Sequence, residues 1–149
     1  MITLAAKMDR LSFPLQEYLE WLWVLQVDEG NEAVKTGDLS KRLRIRPASV
    51  TEALHKLSRL GLVSHNRYYG ASLTAKGKAL AATAIRRHRL AECLFVNLVG
   101  VPKDEVEAAA CGFEHYLDAK LASRVCRLLG HPRKCPHSRA IPKGNCCRP

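Results

Sequence analysis

Two short amphipathic segments joined by a tight connection most restrict how this 149-residue chain can fold. The first begins at Thr36 or Asp38 and runs through DLSKRL, with Asp38 as a plausible N-cap and with Leu39 and Leu43 turned inward. The second, PASVTEALHKLSRLG, opens with Pro47, repeats apolar residues at helical intervals and ends at Gly61, which suits a helix C-cap. Two short helices with this spacing predict a helix-turn-helix.

A hairpin and an earlier helix complete the first half of the chain. Two β-like runs in LVSHNRYYGASLT flank the segment from Asn66 to Gly70, where Gly70 can adopt a positive φ. After a loose N-terminal arm, an amphipathic helix opens at Pro14 and stops at Gly30. These elements predict a winged helix-turn-helix.

The second half is predicted to be helical. A long helix runs from Thr74 to a stop at Gly100, and the segments KDEVEAAACGFEHYLD and AKLASRVCRLLG form two more helices before HPRKCPHSRAIPKGNCCRP. The predicted fold class is therefore mainly α. We divide the chain into a winged helix-turn-helix domain (1–75), an all-helical domain (76–130) and a Cys/Pro-rich tail (131–149).

The charge of the chain limits its partners and its compartment. A formal net charge of +10 favours a polyanion, with nucleic acid as the first candidate. Lys7, Asp9 and Arg10 interrupt any signal-peptide core, and no apolar run reaches membrane-spanning length, so a cytoplasmic protein without a membrane partner is expected. Six cysteines in that compartment indicate thiols or metal ligands, with Cys93 and Cys126 expected as core packing.

The second short helix and the wing carry side chains suited to DNA. Residues in the early turns of a recognition helix reach base edges, while nearby cations and hydroxyls hold phosphates. Each such residue alone could simply be solvated, but together with the predicted fold they favour binding to a double-stranded operator. A single unit covers one major-groove segment, so we expect a homodimer that uses the C-terminal helices. The candidate DNA-binding residues are Arg46, Pro47, Ser49, Thr51, Glu52, Lys56, Arg67 and Tyr68.

Metal-ligand residue types recur at helical spacing on three predicted helices. One helix carries Glu107, Cys111, Glu114 and His115 on one face, which a purely structural helix would reserve for apolar residues. The other two helices carry the pairs His88 with Glu92 and Glu17 with Glu20. Spacing alone leaves two interpretations open, namely a metal site or solvent-facing polar residues with a packed Cys111.

The chain resembles the metal-dependent repressors that include the diphtheria toxin repressor, the iron-dependent regulators and the manganese transport regulators. The resemblance extends from about Leu15 to about Pro142 and depends on the order of EYLEWLWVL, RPASVTEALHKLSRLGLV, LTAKGKALA, RRHRLAE and CGFEH. It implies a DNA-binding domain followed by a metal-binding and dimerisation domain, and repression of metal-uptake genes when metal is abundant. Iron-type members often carry a third, SH3-like domain, for which this chain ends too early.

The resemblance also implies a set of metal ligands. Cys111, Glu114 and His115 match the ligands of the regulatory metal, and Glu17 matches the ligand position on the first helix. Glu20 and His88 match further ligands of manganese-type members, whereas His88, Glu92 and Glu107 match the ancillary site of iron-type members, with Glu107 replacing a histidine. The set is thus mixed.

The expected cofactor is a divalent transition metal. The thiolate of Cys111 is softer than a carboxylate and favours Fe(II), with Mn(II) next, while Zn(II) or Co(II) can bind in vitro. Tail residues Cys135, His137, Cys146 and Cys147 offer a possible second metal site or iron–sulfur centre, although their spacing matches no standard zinc finger and a flexible or packed tail is the alternative.

Two other functions compete with a metal-dependent repressor. A DNA-binding regulator could sense redox state or an iron–sulfur centre through the tail cysteines. A metal-dependent hydrolase could use His and Glu around an ion to activate water, but the sequence has no HExxH-type motif, and this function would leave the wing unexplained. The sequence therefore favours a regulator over an enzyme.

Overall fold

The computed structural model describes residues 4–148, which form two compact units. The N-terminal unit spans Arg10–Ala82, and the C-terminal unit comprises residues 4–9 and 83–148. The division falls inside one long helix, α5 (Ala75–Leu94), which begins in the first unit and ends in the second. In residues 4–148, no helix is both long enough and apolar enough to cross a membrane.

The N-terminal unit is a three-helix core with a two-stranded wing, as the sequence predicted. Its elements before α5 are α2 (Phe13–Trp23), a π-helical turn (Val24–Asp28), α3 (Thr36–Leu43), α4 (Pro47–Arg59), β1 (Val63–Asn66) and β2 (Gly70–Leu73). Leu19, Leu39, Val50, Leu54 and Leu57 are fully buried and supply its apolar centre. The apolar faces of these helices are therefore shared in one core.

The turn of the helix-turn-helix is held by local hydrogen bonds. Arg44 ends α3 with a φ of 54°, and its N–H donates to the carbonyl of Ser40. The Ser40 hydroxyl donates to the carbonyl of Ile45, 2.5 Å away. The prediction that Asp38 caps α3 is wrong, because Lys35 holds the N-cap position and Asp38 lies in the first turn. A carboxylate there still interacts favourably with the helix dipole.

The wing is an antiparallel hairpin in which Val63 pairs with Leu73 and Asn66 pairs with Gly70. The Asn66 Oδ1 accepts hydrogen bonds from the backbone N–H groups of Tyr68 (2.8 Å) and Tyr69 (3.2 Å). An asparagine that bonds to the backbone ahead of it stabilises a turn. Both tyrosine side chains consequently stand exposed at the tip of the wing.

The C-terminal unit is helical and includes a segment that sequence reasoning missed. After α5 come a π-helical turn (Phe95–Val99), α6 (Val106–Glu114), α7 (Ala119–Leu128) and a 3-10 turn (Asn145–Cys147). The N-terminal residues, predicted as a loose arm, instead form α1 (Leu4–Met8), with Met8 fully buried. Five residues are too few for a 3.6-residue period to be recognised, so burial of Met8 was not visible in the sequence.

The C-terminal tail packs within this unit. Cys135 and Ile141 are buried in the same apolar cluster as Leu90 and Leu117. Arg86 Nη1 on α5 donates to the carbonyl of Pro142 over 2.9 Å. Of the two arrangements that the sequence left open for the tail, packed or flexible, the structure has the packed one.

The N-cap of α7 provides a test of local stability. Asp118 accepts a hydrogen bond from the backbone N–H of Leu121, 2.7 Å away. Asp118→Ala is expected to lower the free energy of unfolding by about 1 kcal/mol, as is typical when an N-cap acceptor is lost. Urea denaturation followed by circular dichroism measures the change. Asp118→Asn is the control, since Asn caps helices as well as Asp; equal destabilisation by both variants would contradict the capping role.

Candidate metal centre and DNA-binding surface

The predicted DNA-binding residues lie along α4, from its N-cap Arg46 to Lys56 in its last turn, and on the wing. Most of them are exposed in the N-terminal unit, whereas Ser49 and Thr51 are half-buried. The Thr51 hydroxyl donates to the carbonyl of Pro47 (3.1 Å), and Lys56 forms an ion pair with Glu52 (3.0 Å). The exposed residues of this set are Arg46, Pro47, Glu52, Lys56, Arg67 and Tyr68.

Two contacts near this surface were not predicted. Arg42 is a basic residue beside the turn, but its guanidinium lies 2.8 Å from Glu29 and over the ring of Trp21. His55 on α4 and His65 on β1 have ring centroids 5.4 Å apart, and burial followed by the nearby His55 lowers the pKa of His65. These interactions join neighbouring elements, and none follows from a periodic sequence pattern.

A candidate metal centre forms on α6, in the C-terminal unit. Cys111, Glu114 and His115 each present a ligand atom within 4.8 Å of the other two. The Glu114 side chain is 3% exposed, and its Oε1 lies 3.6 Å from His115 Nε2. Its other oxygen, Oε2, lies 2.5 Å from Nδ1 of His88 on α5. The structure thus brings four of the predicted ligands together around one carboxylate.

The electrostatics of this centre depend on His88. Burial alone would lower the pKa of His88, but hydrogen bonds to Glu107 and Glu114 outweigh that effect and raise it to about 11. The same interaction with His88 lowers the pKa of Glu107. Without metal, a protonated imidazole therefore balances the carboxylates.

Glu114 also shows that the centre suits a divalent cation. Its Oε1 is fully shielded from solvent and makes no hydrogen bond. A buried carboxylate oxygen without a hydrogen bond is energetically costly unless a cation lies beside it. Sulfur, imidazole and carboxylate donors are a ligand set that transition metals accept. The side chains present therefore fit the metal ion that the sequence suggested.

A second group of ligands lies beside the first. His88 Nε2 is 3.8 Å from Glu92 Oε1 and 3.5 Å from Glu107 Oε2. Glu92 Oε1 also lies 2.7 Å from Nδ1 of His137, and Cys135 completes a cluster with these two residues. Glu92 is therefore shared between two clusters, and the tail contributes to one of them.

Glu17 and Glu20 lie in the N-terminal unit, one turn apart on α2. Glu17 is half-buried, while Glu20 is 8% exposed. A carboxylate buried among apolar side chains is unusual and often marks a functional position. Their role as metal ligands stays a prediction from the sequence pattern.

The four tail residues predicted as one possible site fall into two groups. Cys135 and His137 join Glu92, whereas Cys146 and Cys147 join Cys126 and His131. Cys126 is fully buried, as expected for a packing residue, but its Sγ lies 3.6 Å from that of Cys147. The expectation that Cys126 packs in the core is confirmed, and its thiol in addition lies beside that of Cys147. No periodic pattern predicts the contact with Cys147, because that residue lies 21 positions further along the chain, in a 3-10 turn.

Two of these thiols have strongly altered acidity. Burial raises the pKa of Cys126 to about 11. For Cys147, burial opposes ionisation, but hydrogen bonds from the Gly144 backbone and with His131 and the neighbouring thiols lower the pKa to about 6. A thiol with such a pKa is largely ionised near neutral pH.

Comparison with known proteins identifies both halves of the chain. The model of the "iron dependent repressor, N-terminal DNA binding domain" matches residues 10–71. That of the "iron dependent repressor, metal binding and dimerisation domain" matches residues 74–143. These are the domains of a transcriptional repressor and not of an enzyme.

Individual relatives agree with this assignment. The iron-dependent repressor IdeR of Mycobacterium leprae is 33% identical over 137 residues, which are 91% of this chain and 58% of IdeR. The chain thus spans about three fifths of that relative's length. An uncharacterised HTH-type transcriptional regulator of Methanocaldococcus jannaschii is 32% identical over 115 residues, which are 77% of this chain and 91% of that protein.

The fold is also that of a solved repressor. A manganese-dependent transcriptional repressor, in complex with manganese, superposes with a TM-score of 0.81 at 34% identity and covers 88% of this chain and 59% of its own. Matched domains, sequence identity and fold agree, and the chain belongs to the iron-dependent repressor family, as its sequence motifs suggested.

Proposed function

We propose that this protein is a metal-dependent DNA-binding transcriptional repressor of metal-uptake genes. The observation that carries the proposal is the Glu114 carboxylate, which is buried among Cys111, His115 and His88 and has one oxygen without a hydrogen bond. A divalent cation at that carboxylate would supply a partner for Oε1, because the interaction with His88 engages only Oε2. The exposed first turns of α4 and the wing give the same chain a surface suited to DNA.

The proposed corepressor is Fe(II), with Mn(II) next. Cys111 supplies a thiolate, which is a softer ligand than carboxylate and suits Fe(II) better than Mn(II). One relative is named for iron and one solved structure for manganese, so both ions occur among proteins of this kind. Intrinsic affinity ranks Zn(II) above both, and availability in the cell therefore decides the physiological ion.

The proposed regulatory ligands are Cys111, Glu114, His115 and His88, with Glu17 and Glu20 as further ligands from the family pattern. Glu92 and Glu107 are proposed, again with His88, as ancillary ligands. The chemistry that the ion supplies is charge neutralisation of the carboxylates and a fixed arrangement of the side chains that bind it. We keep the sequence-derived division at residues 75 and 130 as a proposal for the functional segments.

Metal activates DNA binding only if it binds the DNA-competent state more tightly than the other states. A coupling free energy of about 1–3 kcal/mol changes the affinity for DNA about 5- to 150-fold. A homodimer in the cytoplasm, placing two recognition helices on a two-fold-related operator, is the proposed active form.

The proposal is tested by selecting duplex DNA from a random pool with protein and Fe(II) under anaerobic conditions, and in parallel with Mn(II). Fluorescence anisotropy on the selected duplex then compares Kd values with each metal and with a chelator. A Kd that falls at least about 5-fold on adding metal is expected. The same Kd with metal and with chelator would reject a corepressor.

Arg46→Ala is expected to weaken binding to the selected duplex. Loss of a contact from the start of a recognition helix costs about 1–3 kcal/mol, and loss of a phosphate contact lowers the slope of log K against log salt by about 1. Anisotropy titrations at several KCl concentrations measure both quantities. Arg59→Ala is the matched control, because Arg59 is also exposed on α4 but lies at its far end. If Arg46→Ala and Arg59→Ala lose the same affinity for DNA, the binding depends on the net charge of the protein and not on the position of Arg46.

A further inference from the structure

The C-terminal tail brings three cysteines and one histidine to a single point. Cys126 lies near the end of α7, His131 follows that helix, and Cys146 and Cys147 form the 3-10 turn at the end of the tail. We call these four residues the tail cluster. Their ligand atoms all lie within 4.8 Å of one another.

Four of the six ligand–ligand distances in the tail cluster are close to those of a tetrahedron around a metal, and the other two are below 4.8 Å. With Zn–S bonds of about 2.3 Å and Zn–N bonds of about 2.0–2.1 Å, tetrahedral geometry places sulfur atoms about 3.8 Å apart and sulfur and nitrogen about 3.6 Å apart. The Sγ–Sγ distances are 3.6 Å for Cys126 and Cys147 and 3.8 Å for Cys146 and Cys147. His131 Nδ1 lies 3.4 Å from Cys126 Sγ and 3.6 Å from Cys147 Sγ.

The backbone is shaped to bring His131 to this point. His131 has a φ of 56°, in the left-handed region, and its N–H donates to the Cys126 carbonyl (2.8 Å). A positive φ outside glycine is uncommon and persists only where the surrounding structure supports it. It follows Gly130, whose φ is 71°, so the chain reverses immediately after α7. The reversal returns the imidazole to the cysteine of the preceding helix.

From this geometry we infer that Cys126, His131, Cys146 and Cys147 bind one Zn(II) in a closed, four-coordinate structural site. Three cysteines and one histidine are a ligand set found in structural zinc sites. All four positions are taken by protein, so the site leaves no open position for a substrate. It is separate from the regulatory centre, with which it shares no residue.

The surroundings balance the charge of such a site. Three thiolates with one Zn(II) carry a net charge of −1. Arg86 is 8% exposed, and its Nη2 lies 3.2 Å from Cys146 Sγ. A Cβ on residue 144 would lie 2.6 Å from the Arg86 guanidinium, so Gly144 permits this close approach. The buried cation and the cluster thus form a neutral assembly.

The location of the ligands indicates what the ion does. Cys146 and Cys147 lie beyond residue 143, where the match to the family's metal-binding and dimerisation domain ends. One pair of ligands is near α7 and the other is at the end of the tail, so the ion cross-links the tail to the helical core. A structural zinc ion of this kind contributes its binding energy to folding. Its function is to fix the tail, including the segment with Cys135 and His137 that reaches Glu92.

A disulfide bond is the competing explanation for the close approach of these thiols. It requires only two sulfur atoms and does not explain why His131 lies close to both Cys126 and Cys147. The two explanations differ in mass and in metal content. A disulfide lowers the mass of the chain by 2 Da per bond by loss of two thiol hydrogens, whereas bound zinc adds the ion and removes the protons that it displaces. Native mass spectrometry of the full-length protein purified without added metal distinguishes them.

The variant Glu114→Gln/His115→Gln, which disables the proposed regulatory centre, is expected to retain one zinc ion per chain. Replacing zinc with Co(II) should give the intense visible bands of tetrahedral cobalt and a thiolate-to-cobalt charge-transfer band in the near ultraviolet. In the same background, Cys147→Ser and His131→Ala should each lose these bands or lower the affinity for Co(II) at least 10-fold. Cys93→Ala is the matched control, since it removes a buried thiol outside the tail cluster.

Three results would overturn the inference. They are a chain without tightly bound metal, an oxidised mass 2 Da below that of the free thiols, and an unchanged cobalt spectrum in Cys147→Ser. The cobalt spectrum of the wild-type protein by itself shows whether thiolates bind the ion in tetrahedral geometry. The test therefore still discriminates if one of the variants fails to fold. If the protein retains zinc but metal does not increase its affinity for DNA, the proposed repressor function is contradicted and the inference of a zinc site is not.

Discussion

Glu114→Gln is expected to abolish the metal dependence of DNA binding, so that Kd values with and without Fe(II) or Mn(II) differ less than 2-fold. Wild-type protein should show activation of about 5- to 150-fold. Glutamine has nearly the same shape but no charge, and an uncharged amide does not offset the cost of desolvating a divalent ion. Because Glu114 lies within reach of both His115 and His88, its replacement affects proposed ligands on α5 and at the end of α6 together. Anaerobic anisotropy titrations measure the effect.

Glu105→Gln is the matched control for that experiment. It removes the same charge from an exposed position just before α6, outside every cluster of potential ligands in residues 4–148. It should leave activation unchanged. Far-ultraviolet circular dichroism and thermal unfolding establish that both variants are folded. Full activation in folded Glu114→Gln would place sensing elsewhere in the chain.

Gly77→Ala is expected to destabilise the N-terminal unit by about 3 kcal/mol or more, at the upper end of the range for overpacking. A Cβ at position 77 would lie 1.8 Å from the carbonyl oxygen of Leu62 and 2.8 Å from its carbonyl carbon. Both atoms belong to the backbone, so no side-chain rotation relieves the clash. The same carbonyl accepts a hydrogen bond from the N–H of Thr74, which precedes α5. The change therefore disturbs the junction between the wing and the long helix.

Thermal unfolding should show this as a Tm lowered by about 10 °C. Gly37→Ala is the control in the same unit, because a Cβ there would meet no atom within 4 Å and alanine favours helix over glycine. That variant should be neutral or slightly stabilised. A Gly77→Ala protein as stable as Gly37→Ala would show that the junction relaxes without cost.

Local patterns made the winged helix-turn-helix predictable. Apolar residues at helical intervals with Pro47 at the start of α4, and a turn between Asn66 and Gly70, all act within about twenty residues. The ligands on α6 were visible for the same reason, since Cys111, Glu114 and His115 are neighbours on a single helix. The prediction that Asp38 is the N-cap of α3 was wrong because the helical backbone already begins at Thr36, two residues before this good capping side chain.

Non-local packing explains what could not be predicted. The tail cluster joins residues separated by about twenty positions, through a chain reversal and a 3-10 turn that leave no periodic signal. The sequence identified Cys146 and Cys147 as ligand candidates but grouped them with Cys135 and His137, which lie beside Glu92 in the structure. Helix α1 was missed because a single buried residue, Met8, does not form a periodic pattern.

Helix α5 carries three arginines, at positions 86, 87 and 89, whose partners come from opposite ends of the chain. Arg87 donates to Asp9 over 2.7 Å, while Arg86 and Arg89 donate to the carbonyls of Pro142 and Ala140. All three side chains are at most 8% exposed. Trimming either terminus to obtain a smaller fragment would leave a buried guanidinium without its acceptor, so shortened proteins and fusion partners should be designed to leave both ends intact.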